Sequence, residues 1–135
     1  MTRRVATLLF LMLAGAALIV GRPDAAQRPK PAGAEFKGEA FRFNKIQEGL
    51  YHAVGTGAIA VGCNASIIVN DEDVLVVDSH ATPAAAWALA EQLKTVTNKP
   101  IRYVVNTHFH WDHAHGNQVY GPGVEIVGHE FTRRM

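Results

Sequence analysis

At 135 residues and a formal net charge of +1, the chain is long enough for one domain and has no basic excess that could track a phosphate backbone, which excludes nucleic acid as an expected partner. Hydrophobic residues make up 48% of it and charged residues 19%, a balance that excludes a chain kept unfolded by its composition. Cys63 is the single cysteine, so no intramolecular disulfide can form.

The sequence opens with Arg3 and Arg4 ahead of an almost wholly apolar run from Val5 to Val20, the layout of an export signal. The run lies near the lower limit of about 17 residues for crossing a bilayer, so an uncleaved membrane anchor is the alternative for residues 1–26. Ala25-Ala26 is better placed for cleavage than Ala14-Gly15-Ala16. Val5-Ala6-Thr7 lacks the apolar and basic residues usual after a twin-arginine pair, which favours the general secretory route. The expected location is therefore periplasmic or extracellular. Pro23, Pro29 and Pro31 interrupt the next stretch, so residues 27–40 are expected as a linker and 41–135 as the domain.

Phe41-Arg42-Phe43 alternates as a strand does, Gln47-Glu48-Gly49 supplies a turn, and Leu50 to Val54 reads as the returning strand. Gly55 to Gly62 is rich in Gly and Ala and is expected as a mobile loop, either a flap or a plain connection. Ala65 to Val69 and Val74 to Val77, joined by Asn70-Asp71-Glu72-Asp73, form a second hairpin. Thr82-Pro83 fits an N-cap followed by proline at the first helical position, and Ala84 to Leu93 is helix-forming, with Trp87, Ala90 and Lys94 along one stripe. Asn98-Lys99-Pro100 ends it, Ile101 to Val105 is a continuous apolar strand, and Val124 to Val127 is a short one after Gly121-Pro122-Gly123. His129 to Arg134 looks like an opening helix. A strand, helix, strand order implies an α/β layer with a crossover.

The chemistry is concentrated directly after the strand Ile101 to Val105, in Thr107-His108-Phe109-His110-Trp111-Asp112-His113, with His115 just beyond. A strand end followed by a tight loop lets alternate residues project into one space. His108 and His110 can then meet one ion while Asp112 and His113 reach a neighbouring one. Imidazole nitrogen and carboxylate oxygen suit zinc, and the lack of thiolates argues for an open, reactive site over a closed structural one.

This run resembles the His-x-His-x-Asp-His signature of the metallo-β-lactamase superfamily, metal-dependent hydrolases with an αββα sandwich, over roughly Phe41 to Met135. The resemblance implies an α/β domain of which only the first half is represented here. It also implies His108 and His110 as ligands of a first zinc, Asp112 and His113 as ligands of a second, and Asp78 as a brace of the metal loop. The remaining family ligands come from later segments. In a complete site two zinc ions hold water as hydroxide, which attacks the carbonyl of an amide, ester, lactone or thioester, with Asp112 also orienting the nucleophile. The expected partner is then a small-molecule substrate. Taken literally, the 135 residues also admit a non-catalytic zinc-binding fragment that needs a complementing chain. A di-iron protein of the same fold is disfavoured by His110, where it carries Glu.

Other residues divide between chemistry and packing. His115 is a candidate hydrogen-bond partner of a metal ligand or an exposed loop residue. Cys63 reads as a small packed residue rather than a reactive thiol, His80 as a residue at the surface or at the helix start, with a place facing the site as the alternative, and His52 as structural. Phe109 and Trp111 are expected to pack the loop, Trp87 and Leu93 to sit in the core, and His129 not to replace a missing ligand.

Overall fold

The computed structural model describes residues 28–135; the predicted export signal and its cleavage site lie outside them. Six strands form one sheet in sequence order: β1 (Phe41–Gln47), β2 (Leu50–Gly55), β3 (Ala65–Val69), β4 (Val74–Val77), β5 (Ile101–Asn106) and β6 (Glu125–Gly128). Strands β1 to β4 pair antiparallel. β4 pairs parallel with β5, and β5 with β6. Parallel neighbours require crossovers, and the first is α1 (Pro83–Leu93). The second contains the motif: a helical turn, α2 (Trp111–Ala114), runs into a 3-10 turn over His115–Val119. A short α3 (Glu130–Arg134) follows β6.

The strands follow a period of two. Val74 and Val76 are fully buried while Leu75 and Val77 are half-buried, and Ile67 and Val104 join the buried side. That side packs against α1, whose start is fixed as expected: the Thr82 hydroxyl accepts from the Ala85 amide at 3.0 Å and Pro83 stands at the first helical position. The buried face of α1 differs from the predicted stripe. It is built from Ala84, Ala85, Ala86, Ala88, Leu89, Ala90 and Leu93, so that Ala90 of the predicted stripe is buried while Trp87 is half-buried and Lys94 exposed. The alanines let the helix lie close to the sheet, and no wide polar stripe marked this face in the sequence. One helix layer on one sheet is the first half of the expected αββα arrangement.

The predicted linker carries neither helix nor strand over 28–40, yet it is not detached. Ala34 and Ala40 are buried, Phe36 packs on the core, and the Gln92 side chain accepts from the amides of Ala40 and Phe41, both at 2.9 Å. Among the described residues no helix is long and apolar enough to cross a membrane.

Candidate metal centre

The motif begins where β5 ends, beside the end of β4. Carboxyl ends of parallel strands are where open α/β sheets place their ligand sites, because the chain must leave the sheet there and cross over. Asp78 follows β4 with a left-handed backbone, φ 67°, and His80 repeats this at φ 71°. Two non-glycine residues in that region carry strain of order 1–3 kcal/mol each, which the surrounding hydrogen bonds must offset.

Those bonds converge on Asp78, which is buried. Its Oδ1 accepts the Thr107 amide at 2.8 Å, the Thr107 hydroxyl lies 3.0 and 2.9 Å from Oδ1 and Oδ2, and Oδ2 accepts from His113 Nδ1 at 2.8 Å. The Thr107 hydroxyl has one proton. Donating it to Asp78, the oxygen can only accept at its 2.9 Å contact with His108 Nδ1. In both His108 and His113 the donor to this network is therefore Nδ1, which leaves Nε2 as the nitrogen on offer to a metal.

The four predicted ligands are gathered on this frame. The rings of His108 and His113 are 4.1 Å apart and those of His108 and His110 4.6 Å, while Asp112 Oδ2 stands 3.5 Å from His113 Nε2. Three imidazoles and a carboxylate, two of the rings with a freed Nε2, have the donor chemistry that fits zinc. They stand as adjacent pairs: among the described residues no group of three or more His, Cys, Asp or Glu side chains forms a cage able to hold an ion.

A second network holds the backbone of the loop. The His113 carbonyl accepts from the Ser79 amide at 2.8 Å, the Ser79 hydroxyl at 3.2 Å and the Asn106 side chain at 3.0 Å. Asn106 and Asn117 also bond each other at 2.6 and 3.3 Å. Gly116 lies so close to Ser79 that a Cβ there would overlap the Ser79 carbonyl and come within 2.6 Å of Ala86 Cβ. Sequence reasoning missed Ser79, Asn106 and Gly116. The available signal was Asn106, a buried polar side chain closing an apolar strand, which must find partners.

The remaining candidates sit apart. His115 is exposed, its ring 6.2 Å from Trp111 rather than among the clustered imidazoles. His129 caps α3, its ring accepting from the Phe131 amide at 3.2 Å. Trp111 is 61% exposed, so it does not pack the loop as expected, whereas Phe109 stands edge-on to Phe131 at 5.3 Å. His52 lies half-buried in β2.

His80 is not at the surface. It is fully buried against Phe41, with ring centroids 4.8 Å apart, and burial holds its pKa down to about 4. Its Nδ1 donates to the Cys63 carbonyl at 3.1 Å and lies 3.5 Å from Cys63 Sγ. Burial, reinforced by the charge of Asp78, pushes the Cys63 thiol up to about 11. Both groups are neutral near pH 7, which is the opposite of an activated thiolate–imidazolium pair. The expected mobile loop is pinned at both ends: the Thr56 amide donates to the Ala40 carbonyl and the Ala81 amide to the Val61 carbonyl, each at 2.9 Å.

The chain is similar to known proteins in sequence and in fold. The family model described as "Metallo-beta-lactamase superfamily" matches residues 58–121. A curated protein of Bacillus subtilis (strain 168), "Probable metallo-hydrolase YqjP", is 39% identical over 76 residues, which is 54% of this chain and 24% of that protein. Among solved structures, the metallo-beta-lactamase FIM-1 from Pseudomonas aeruginosa, in its mono-zinc form, is similar with a TM-score of 0.60 and 22% identity over 76% of this chain and 47% of its own. A metallo beta lactamase from Hirschia baltica gives 0.57 and 24% over 71% and 46%. The chain thus spans about a quarter of the curated relative and under half of each of these two solved chains.

Proposed function

The chain belongs to the metallo-beta-lactamase superfamily, and on that premise we propose that its motif loop is the amino-terminal half of a zinc site in a hydrolase of small carbonyl compounds. The observation that carries this reading is the Asp78 network, which fixes His113 through Nδ1 at 2.8 Å and His108 through Thr107 at 2.9 Å. In the proposed site His108 and His110 hold one zinc, and Asp112 with His113 holds its neighbour. Bound zinc supplies Lewis-acid polarisation of a carbonyl and lowers the pKa of a water toward about 7.

The chain's own residues orient and hold. Asp78 keeps the His108 and His113 rings from rotating, so less ordering remains to be done when a ligand arrives. Asp112 is only partly buried, and its carboxylate can accept a hydrogen bond from an attacking water and so aim the water's lone pair at the substrate. An amide, lactone, ester or thioester is the substrate class, since each presents a carbonyl carbon to a water nucleophile.

A second reading is a non-catalytic zinc-binding fragment that needs a complementing chain. It is favoured by ligands that stand in adjacent pairs among the described residues. Export remains part of the proposal, resting on Arg3, Arg4 and the apolar run from Val5 to Val20; cell fractionation tests it. The proposed location is periplasmic or extracellular.

The deciding experiment is His110→Ala in a protein of natural length, assayed on a panel of chromogenic lactams, lactones, esters and thioesters beside a zinc titration. Loss of both hydrolysis and zinc uptake is expected. Undiminished turnover by the variant refutes the metal assignment, and zinc uptake without turnover by the parent supports the non-catalytic reading.

A further inference from the structure

We infer that Gly62 is a positioning residue for Asp112: the clasp Val61–Cys63 presses on the metal loop from outside the motif and sets where the Asp112 carboxylate stands. The inference rests on the zinc reading above.

The clasp is held to the strap that follows β4 at three successive points. Val61 accepts the Ala81 amide at 2.9 Å, Cys63 accepts His80 Nδ1 at 3.1 Å, and between them Gly62, with φ +81°, lies directly against Ala81. The same Gly62 faces the first turn of α2. A Cβ built there comes within 2.7 Å of Ala81 Cβ and 2.9 Å of Asp112 Cβ, where ordinary contact begins at 3.4 Å. Gly62 is thus wedged between the strap and a proposed ligand with no room for one more carbon.

The two sides of the wedge do not yield equally. Ala81 is buried, hydrogen-bonded through its amide, and adjoins the Thr82 cap of α1. Asp112 rides on a four-residue helix with no side-chain cap. Any side chain at position 62 therefore pushes Asp112, and the shortfall from ordinary contact is about 0.5 Å. Metal–ligand distances tolerate only about 0.2 Å, so a displacement of that size matters for an ion while costing the fold little.

The test uses cobalt(II) as a spectroscopic stand-in for zinc with the protein of natural length, its Gly62→Ala and Gly62→Asn variants, and Gly62→Asn combined with Ala81→Gly. Asn tolerates a left-handed backbone better than Ala, so backbone strain alone makes Asn the milder change, whereas the contact makes the two alike. We expect both single variants to bind cobalt about ten-fold more weakly or worse, with an altered d–d spectrum. Ala81→Gly, by opening space on the other side, restores most of the affinity and the parental spectrum. Parental affinity and spectrum in both single variants overturn the inference and leave the zinc reading intact, and so does a double variant that recovers nothing. A parent protein of natural length that takes up no cobalt overturns the zinc reading itself. If circular dichroism finds either single variant unfolded, the double variant alone decides, by its recovery or lack of it.

Discussion

Asp78 and His113, thirty-five positions apart, meet at 2.8 Å between Oδ2 and Nδ1. Their meeting needs the parallel pairing of β4 with β5, since Asp78 directly follows β4 and His113 lies in the helical turn that the chain enters after β5. The carboxylate also holds Thr107 and, through it, His108, so one buried side chain orients two proposed ligands.

Replacing Asp78 with Ala should therefore act twice. The Thr107 amide and the His113 ring each lose an acceptor, at a cost of about 1–3 kcal/mol to folding stability, and zinc affinity should fall about 10–100-fold. Urea denaturation and a competitive zinc titration measure the two effects. Unchanged zinc affinity in a folded variant would contradict the bracing role.

Gly116→Ala should be more damaging to the fold. The new methyl would overlap the Ser79 carbonyl and crowd Ala86, and both neighbours belong to the packed junction of α1 with the motif loop. Overpacking of this kind costs about 3 kcal/mol or more. A midpoint of chemical denaturation equal to that of the parent would show that the junction is looser than its geometry implies.

His80 should make stability depend on pH. Burial holds its folded pKa at about 4, below the unfolded value of about 6.5. Between these values the unfolded chain binds a proton that the folded chain refuses, so the contribution is fully present above about pH 6.5 and is lost as pH falls toward 4, with a slope of up to about 1.4 kcal/mol per pH unit. Denaturation curves from pH 4 to 8 on the parent and on His80→Asn, which tolerates the same backbone but does not titrate, should diverge in that window. Parallel pH profiles would remove His80 as the cause.

Among the described residues the edge strand β6 is exposed along its length, with Ile126 44% and Val127 46% exposed, and Phe131 in α3 is 51% exposed. Unpaired backbone flanked by apolar side chains invites pairing with another chain, so the 135-residue chain should self-associate with rising concentration, and Ile126→Lys with Val127→Lys should suppress it. Sedimentation velocity across a dilution series is the measurement. A parent that stays monomeric throughout contradicts the expectation.

Much of the architecture was legible because its signals are local. The bounds of β3 and β4 come directly from apolar runs closed by turn residues, and α1 begins where Thr82-Pro83 says it should. The motif was legible for the same reason, as four donor residues within six positions. The tight loop expected there is instead a helical turn and a 3-10 turn, because the peptide carbonyl of His113 is anchored from Ser79 and Asn106, residues outside the run.

Every property that depends on which distant segments touch lay beyond such reading. His80 looked like a surface histidine, since nothing near it in sequence foretells that Phe41 and Cys63 close over it. Gly62 looked like one glycine among several in a loop, and only its approach to Ala81 and Asp112 distinguishes it.

The sequence by itself determined the order of elements, the donor atoms on offer and their spacing, because periodicity, capping and ligand chemistry are written in neighbouring residues. Only the tertiary structure decided which nitrogen of His108 and His113 is engaged, which residues are left no room, and through which partners Asp78, offered as a brace by the family resemblance, holds the loop. Those depend on strand pairing and on the crossover through α1, which bring residues far apart along the chain within hydrogen-bonding and van der Waals distance.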